Sequence, residues 1–495
     1  MRIRSAVAAV ATLALTAGVM SSASADPGAA DAAAEATPDQ ATETEAVLAE
    51  DALADAELLF DDDPASAPDD ARDATLVLRD LLLRRNKLDG AERASANRLL
   101  ARPGGAKRKC SRNVCVHWSN RGFHRVNRTD RRPRNGTPDY VDTVLRTMEK
   151  VHRRYVRAGY RAPLKDDGQG GDRKRDIYLR NVGSQGLYGY CTSDRAGKQV
   201  PAYCVLDNDY SKAEFPTNTP LGNMRVTAAH EYMHAVQFAY DFNEELWFME
   251  ATATWAEDEL YDAVNDNVNY LPQGQIGRPG RPLDSRQGVY GNWIFFRYLT
   301  ERMPASRAGM PILVRDMWRR AGRSLNGLEA VRKTLAGRGG NFAGTYASFA
   351  AANRRTQTAY AEGRAQKYPN APLRDSFALS SSNRRRTSTG ILDHLSSATV
   401  RFVPGSGLRA AGQKLRLQVR MAPRVRGSKL VITTYYASGR VSVRKVGLNP
   451  RGDVNALAAF RTGPITGVEA TLVNSSSRLG RVYNDQRAKV TGVVL

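Results

Sequence analysis

The feature that most constrains this chain is His230-Glu231-Tyr232-Met233-His234, set in a run from Asn223 to Trp247 that contains neither Gly nor Pro. A run without breakers at this length is expected to be helical. On a helix, residues four apart lie on one face a turn from each other, so the two imidazoles are placed to grip one ion, with zinc the natural choice. Glu231 then sits where a general base for an attacking water is wanted. Only six His occur in the whole chain, so two of them framing a Glu in this way is an improbable accident.

A further acidic partner is offered downstream. After the turn Asp241-Phe242-Asn243, a second helix is expected from Glu244, and Glu250, Ala253, Thr254 and Glu257 share one of its faces. The frame His230-Glu231-x-x-His234 followed by Trp247-x-x-Glu250-x-x-Ala253 resembles the gluzincin metallopeptidases. Asn135 to Tyr140, Asp176 to Leu179 and Tyr188 to Cys191 are similar to motifs of a branch of secreted bacterial metalloproteases, and the resemblance covers roughly residues 110–300. The metzincin continuation is absent, because Gln237 and Tyr240 stand where it needs Gly and His. The Gly-x-Met-Glu-Asn signature of the aminopeptidase branch is also absent, so its recognition of a free amine is not implied.

The resemblance implies a zincin-like domain in which His230, His234 and Glu250 hold Zn2+ and Glu231 is the general base. The implied reaction is hydrolysis of protein or peptide substrates, with an endopeptidase favoured. Glu257 is expected to accept a histidine N–H, with direct ligation or a solvated surface carboxylate as its alternatives. Gluzincins also present a Tyr or His to the oxyanion, and Tyr290, which opens a helix after a Pro- and Gly-rich loop, is the candidate. Its competing reading is a core aromatic beside Phe295, Tyr298 and Leu299. His117, His124, His152 and His394 have no ligand partner at useful spacing and read as structural.

The start of the chain gives an address. Arg2 and Arg4, an apolar stretch from Ala6 to Met20, and Ala23-Ser24-Ala25 read as a signal peptide over residues 1–25, hence a secreted, extracellular protein with no membrane span after its removal. Cys110, Cys115, Cys191 and Cys204 suit an oxidising compartment. Three pairings are possible, and the short local loops favour Cys110–Cys115 and Cys191–Cys204.

Charge divides the chain. The formal net charge of +22 conceals a stretch, 26–75, with 16 acids against one Arg, while residues 76–495 carry +35. The acidic stretch is rich in Ala, Asp, Glu and Pro and is followed by a Leu-rich helical pattern to about Leu100 and a basic junction, Arg102 to Lys109. Residues 26–109 are therefore expected to be a pro-segment that covers a basic body until it is cut at that junction.

Residues 110–394 read as α+β: a helix capped at Thr137 with Pro138 in its first turn, strands at Asp176–Leu179 and Tyr203–Leu206, then successive helices over 220–366. From residue 395 the period changes to two, as in Leu415, Leu417 and Val419 alternating with Arg416, Gln418 and Arg420. Similar runs recur at 430–436, 441–446, 468–473 and 489–494, so 395–495 is expected to be a small all-β sandwich. It holds 17 Lys and Arg against three acids. That excess suits an anionic cell-surface polymer, and no nucleic-acid reader motif is present. The acidic 130–139 and 166–172 loops are candidates for Ca2+, against which Arg131, Arg132 and Arg134 occupy places that want oxygen ligands. The rival function is a non-catalytic secreted protein that binds anionic surfaces and keeps a relict metal site. Oligomeric state is left open.

Overall fold

The computed structural model describes residues 38–60, 74–105 and 107–495. The expected signal peptide at 1–25 and the acidic stretches 26–37 and 61–73 lie outside the described residues. The chain divides after Thr44. Of the first unit, the described residues are the opening turns of α1 (Pro38–Leu59). Everything below belongs to the second, Glu45–Leu495.

That unit begins with the rest of α1, then α2 (Thr75–Arg84) and α3 (Gly90–Leu99). The helical pattern expected over 76–100 is broken because Asp89 starts a new helix. Its carboxylate accepts from the Glu92 amide while Glu92 accepts from the Asp89 amide, a reciprocal cap. Leu78, Leu81, Leu82 and Leu88 are buried in the same core as the rest of this half of the molecule.

Five strands form its sheet: β1 (Lys107–Cys110), β2 (Val114–Trp118), β3 (Arg175–Arg180), β4 (Gly189–Thr192) and β5 (Tyr203–Asp207), in the order β1-β2-β3-β5-β4. β2, β3 and β5 are parallel, and the two edge strands run antiparallel to their neighbours. The parallel step from β2 to β3 requires a crossover, and α4 (Asp139–Ala158) lies within it. This helix starts just after the expected cap: Pro138 is its N-cap and Thr137 makes no side-chain cap. Both disulfides join residues directly opposite each other on neighbouring strands, Cys110–Cys115 across β1 and β2 and Cys191–Cys204 across β4 and β5.

Two long helices follow. α5 (Pro220–Phe238) is opened by Thr219, whose hydroxyl accepts from the Gly222 amide, with Pro220 in the first turn. α6 (Leu246–Tyr261) packs against it, and α5 also packs on β4 and β5. Both are buried on nearly every side. After them come α7 (Trp293–Arg302), the small hairpin β6 (Ser306–Arg307) and β7 (Met310–Pro311), α8 (Leu313–Ala321), α9 (Gly327–Ala336), α10 (Phe342–Ala352) and α11 (Thr356–Ala359).

The C-terminal region is β-rich. Its strands are β8 (Asp375–Leu379), β9 (Arg385–Leu392), β10 (Ser396–Pro404), β11 (Lys414–Arg420), β12 (Ser428–Tyr436), β13 (Val441–Val446), β14 (Asp453–Ala459), β15 (Ile465–Asn474) and β16 (Gln486–Val494). They form one sheet in the order β13-β12-β15-β10-β8 and another in the order β14-β11-β16-β9. A separate apolar core that includes Val400, Phe402, Leu417, Val468 and Val490 serves both. The region takes in β8 and β9, ahead of the boundary expected at 395. The whole is thus mixed α and β, and among the described residues no helix is long and apolar enough to cross a membrane.

Candidate metal centre

The packing of α6 on α5 brings His230, His234 and Glu250 together. The Nε2 atoms of His230 and His234 lie 3.2 and 3.6 Å from Oε2 of Glu250, and ligand atoms of all three residues lie within 4.8 Å of one another. All three side chains are buried, His234 completely.

The other nitrogen of each imidazole is already committed. His230 Nδ1 lies 2.6 Å from Glu257 Oε1, and His234 Nδ1 lies 2.7 Å from Gln237 Oε1. The orientation of the Gln237 amide is set by its NH2 group, which donates to the Met249 carbonyl at 2.9 Å and the Thr252 hydroxyl at 3.1 Å. An amide oxygen and a carboxylate accept from the Nδ1 atoms, so with a cation between the rings and Glu250 both Nδ1 atoms carry the proton and both Nε2 lone pairs are left for the ion; without one, Glu250 accepts from Nε2 of His230. This is the arrangement that orients imidazoles as metal ligands.

The charge balance points the same way. Glu231, Glu250 and Glu257 are 2, 3 and 5 % exposed, and burying anions is costly unless cations compensate. The nearby Asp258 has Arg297 at 2.9 Å, whereas Glu250 and Glu257 face the imidazoles. Burial pushes the Glu257 carboxyl up to about 7, against the opposing pull of His230. Two imidazoles and a carboxylate, hard and borderline donors in a buried anionic site, fit a divalent cation.

Glu231 lies beside this set, and its carboxylate is engaged by the N-terminal segment. The Thr75 hydroxyl, at the start of α2, donates to Glu231 Oε2 at 3.0 Å and accepts from the Cys191 amide of β4 at 2.8 Å. Thr75 thereby bridges the candidate base and the edge strand of the sheet. The neighbouring Arg79 donates to the Glu244 carbonyl at 2.7 Å, and Tyr203 donates to the Leu100 carbonyl at 3.2 Å. Arg102 reaches three carboxylates, Asp166 at 3.1 Å, Asp176 at 2.6 Å and Asp194 at 2.5 Å. The open space left at His230 and Glu231 is about 30 Å³, room for a water or two and not for a peptide.

Tyr290 sits in the short turn before α7 with its ring centroid 6.0 Å from that of His230. It lines the same space as Tyr188, Tyr270 and Asp266. Sequence reasoning missed several of these residues. Gln237 was legible, since it lies three residues beyond His234 on the same helical face. Thr75, Asp266 and Tyr270 arrive from other segments and carried no local signal. The remaining histidines are held in ordinary polar contacts: His117 with Asp176 at 2.7 Å, His152 with the Tyr232 hydroxyl at 2.5 Å and His394 with Asp284 at 2.7 Å, while His124 accepts from the Asn181 amide. In the loops considered for calcium, Asp130 and Asp139 accept from backbone amides of their own loop and Asp166 pairs with Arg102.

Neither a family model nor a curated protein matches the chain. Among solved structures, one match is to a chain from the structure of infectious bursal disease virus Gx strain, with 15% identity and a TM-score of 0.12, covering 23% of this chain and 32% of that one. The chain thus spans about a third of that viral chain's length, and a likeness this slight carries no argument about fold or function.

Proposed function

We propose that this chain is a secreted zinc metallopeptidase that hydrolyses internal peptide bonds and is held latent by its N-terminal segment. The observation that carries the reading is the convergence of two imidazole Nε2 atoms and the Glu250 carboxylate, with both Nδ1 protons fixed by Gln237 and Glu257. Zinc, when bound there, supplies Lewis acidity and brings the pKa of a water toward ~7. Glu231 takes the proton of the attacking water and returns it to the leaving amine. Tyr290, at the wall of the same space, is the donor toward the developing oxyanion. Glu257 and Gln237 hold the rings in the required tautomer. Latency is supported by Thr75, which occupies the base and the edge-strand amide together.

The test combines metal analysis with cleavage of casein and a peptide library by processed protein. One zinc per chain and chelator-sensitive cleavage are expected; one zinc with no cleavage of any peptide leaves the rival reading, a binding protein with a relict site. Glu250→Ala is expected to strip the metal. Gln237→Ala and Glu257→Ala are each expected to weaken it by about 10- to 100-fold, read by competition with a chromophoric chelator. Metal lost wholly in Glu257→Ala but retained in Glu250→Ala would exchange their roles.

A further inference from the structure

The outer face of the sheet β14-β11-β16-β9 is the second chemically distinctive surface of the molecule. Strand register places its side chains in rows across four strands. One row runs Leu457, Arg416, Val493, Arg385; the next Asn455, Gln418, Thr491, Thr387; the third Asp453, Arg420, Lys489, Thr389. A row of uncharged hydrogen-bonding groups therefore lies between two rows that each hold two cations, the third row also holding Asp453 at its β14 end, for a net of three positive charges on the face. Neighbouring rows are about 6.8 Å apart along the strands, and the four strands are about 14 Å wide.

Three further observations bear on what fits there. Among the described residues, the ion pairs of the two sheets centre on Glu469, with Arg354 and Arg401, and none engages Arg385, Arg416, Arg420 or Lys489. The buried Nε of Arg416 has no hydrogen-bond partner among the described residues. The groove that includes Arg385, Gln418, Arg420, Lys489 and Thr491 has a volume of about 870 Å³, enough for several sugar rings.

We propose that this face binds a linear polysaccharide bearing carboxylates, laid along the uncharged row with its acidic groups turned to the cations on either side. Charge complementarity supplies the anion, and the guanidinium fork suits a carboxylate. Asn455, Gln418 and Thr491 give the central row donors and acceptors for ring hydroxyls, which an acidic peptide backbone does not offer in such density. The three rows contain no Phe, Tyr or Trp, and aromatic platforms are what single-stranded nucleic acid stacks upon. The proposal is independent of the peptidase reading.

The test is co-sedimentation of the full chain with polygalacturonate, with neutral dextran and duplex DNA as comparisons. Binding to polygalacturonate that weakens with salt is expected, with at least a tenfold loss in the double variant Arg420→Glu, Lys489→Glu. The charge-matched double variant Arg409→Glu, Lys445→Glu, whose side chains lie off this face, is expected to lose less than twofold. Thermal unfolding of both double variants at the wild-type temperature shows that the loss is local. Equal losses in the two double variants, no binding to polygalacturonate, or tighter binding to DNA with the same sensitivity would each overturn the proposal.

Discussion

Glu231→Gln in the processed protein is expected to lower peptide hydrolysis by about 10²- to 10⁴-fold, the range associated with a positioned general base, while one zinc stays bound. The substitution keeps size and hydrogen-bonding capacity in a side chain that is 2 % exposed, so folding is expected to survive it. It removes only the ability to take a proton. Because Glu231 is not among the three converging ligands, metal content should match that of the parent protein. Hydrolysis within tenfold of the parent, at equal zinc, would remove Glu231 from the role assigned to it.

The second large effect concerns the N-terminal segment. The uncut chain is expected to hydrolyse casein at least 100-fold more slowly than chain cut within the junction and freed of the segment. Thr75 covers Glu231 and the amide of Cys191, and an edge-strand amide is what an extended substrate would pair with. The position of the cut matters. Lys107–Cys110 is strand β1 of the body's sheet, so cleavage at the exposed Gly104–Gly105 spares the sheet, whereas cleavage within Lys107–Lys109 would remove part of an edge strand. Thr75→Val removes both hydrogen bonds with little change of shape. A buried hydrogen bond to a charged group is worth about 1.5–3 kcal/mol, so the uncut variant is expected to gain activity by roughly 10- to 100-fold. N-terminal sequencing alongside the assay checks that the material is uncut. Uncut parent protein as active as cut protein would contradict the latency.

Much of the fold was legible where side-chain pattern reflects a one-sided environment. Leu415, Leu417 and Val419 alternate because β11 has one face on a core and one in solvent, and the strands expected near 430, 441, 468 and 489 are β12, β13, β15 and β16. β9, Arg-Arg-Thr-Ser-Thr-Gly-Ile-Leu, carries too few apolar residues to alternate, and β8, Asp-Ser-Phe-Ala-Leu, is too short for Phe377 and Leu379 to establish a period. β2, buried along its whole length, has no polar face to reveal it. The helices α5 and α6 are buried on nearly every side and have little amphipathic period; they were legible through chemistry, the His, Glu and His of one and the two Glu of the other. The disulfide pairing followed from loop length and was found in the structure.

The candidate site was legible to the extent that its members share a helix. His230, Glu231, His234 and Gln237 are fixed by spacing along α5, and Glu250 and Glu257 by spacing along α6. That the two sets meet is a property of tertiary packing. The contact of Thr75 with Glu231 spans 156 residues, and no local pattern announces it. Opposed charge along the chain implies a cover for the body, and the hydroxyl that reaches the candidate base is visible only in three dimensions.

Peptide cleavage by processed protein titrated with zinc from the metal-free state separates a zinc peptidase from a binding protein with a relict site. No cleavage without metal, a rise in proportion to bound zinc, and a plateau at one zinc per chain that is absent in His230→Ala are expected. Cleavage that persists without metal, or a fully loaded chain that cuts nothing, would contradict the zinc peptidase reading.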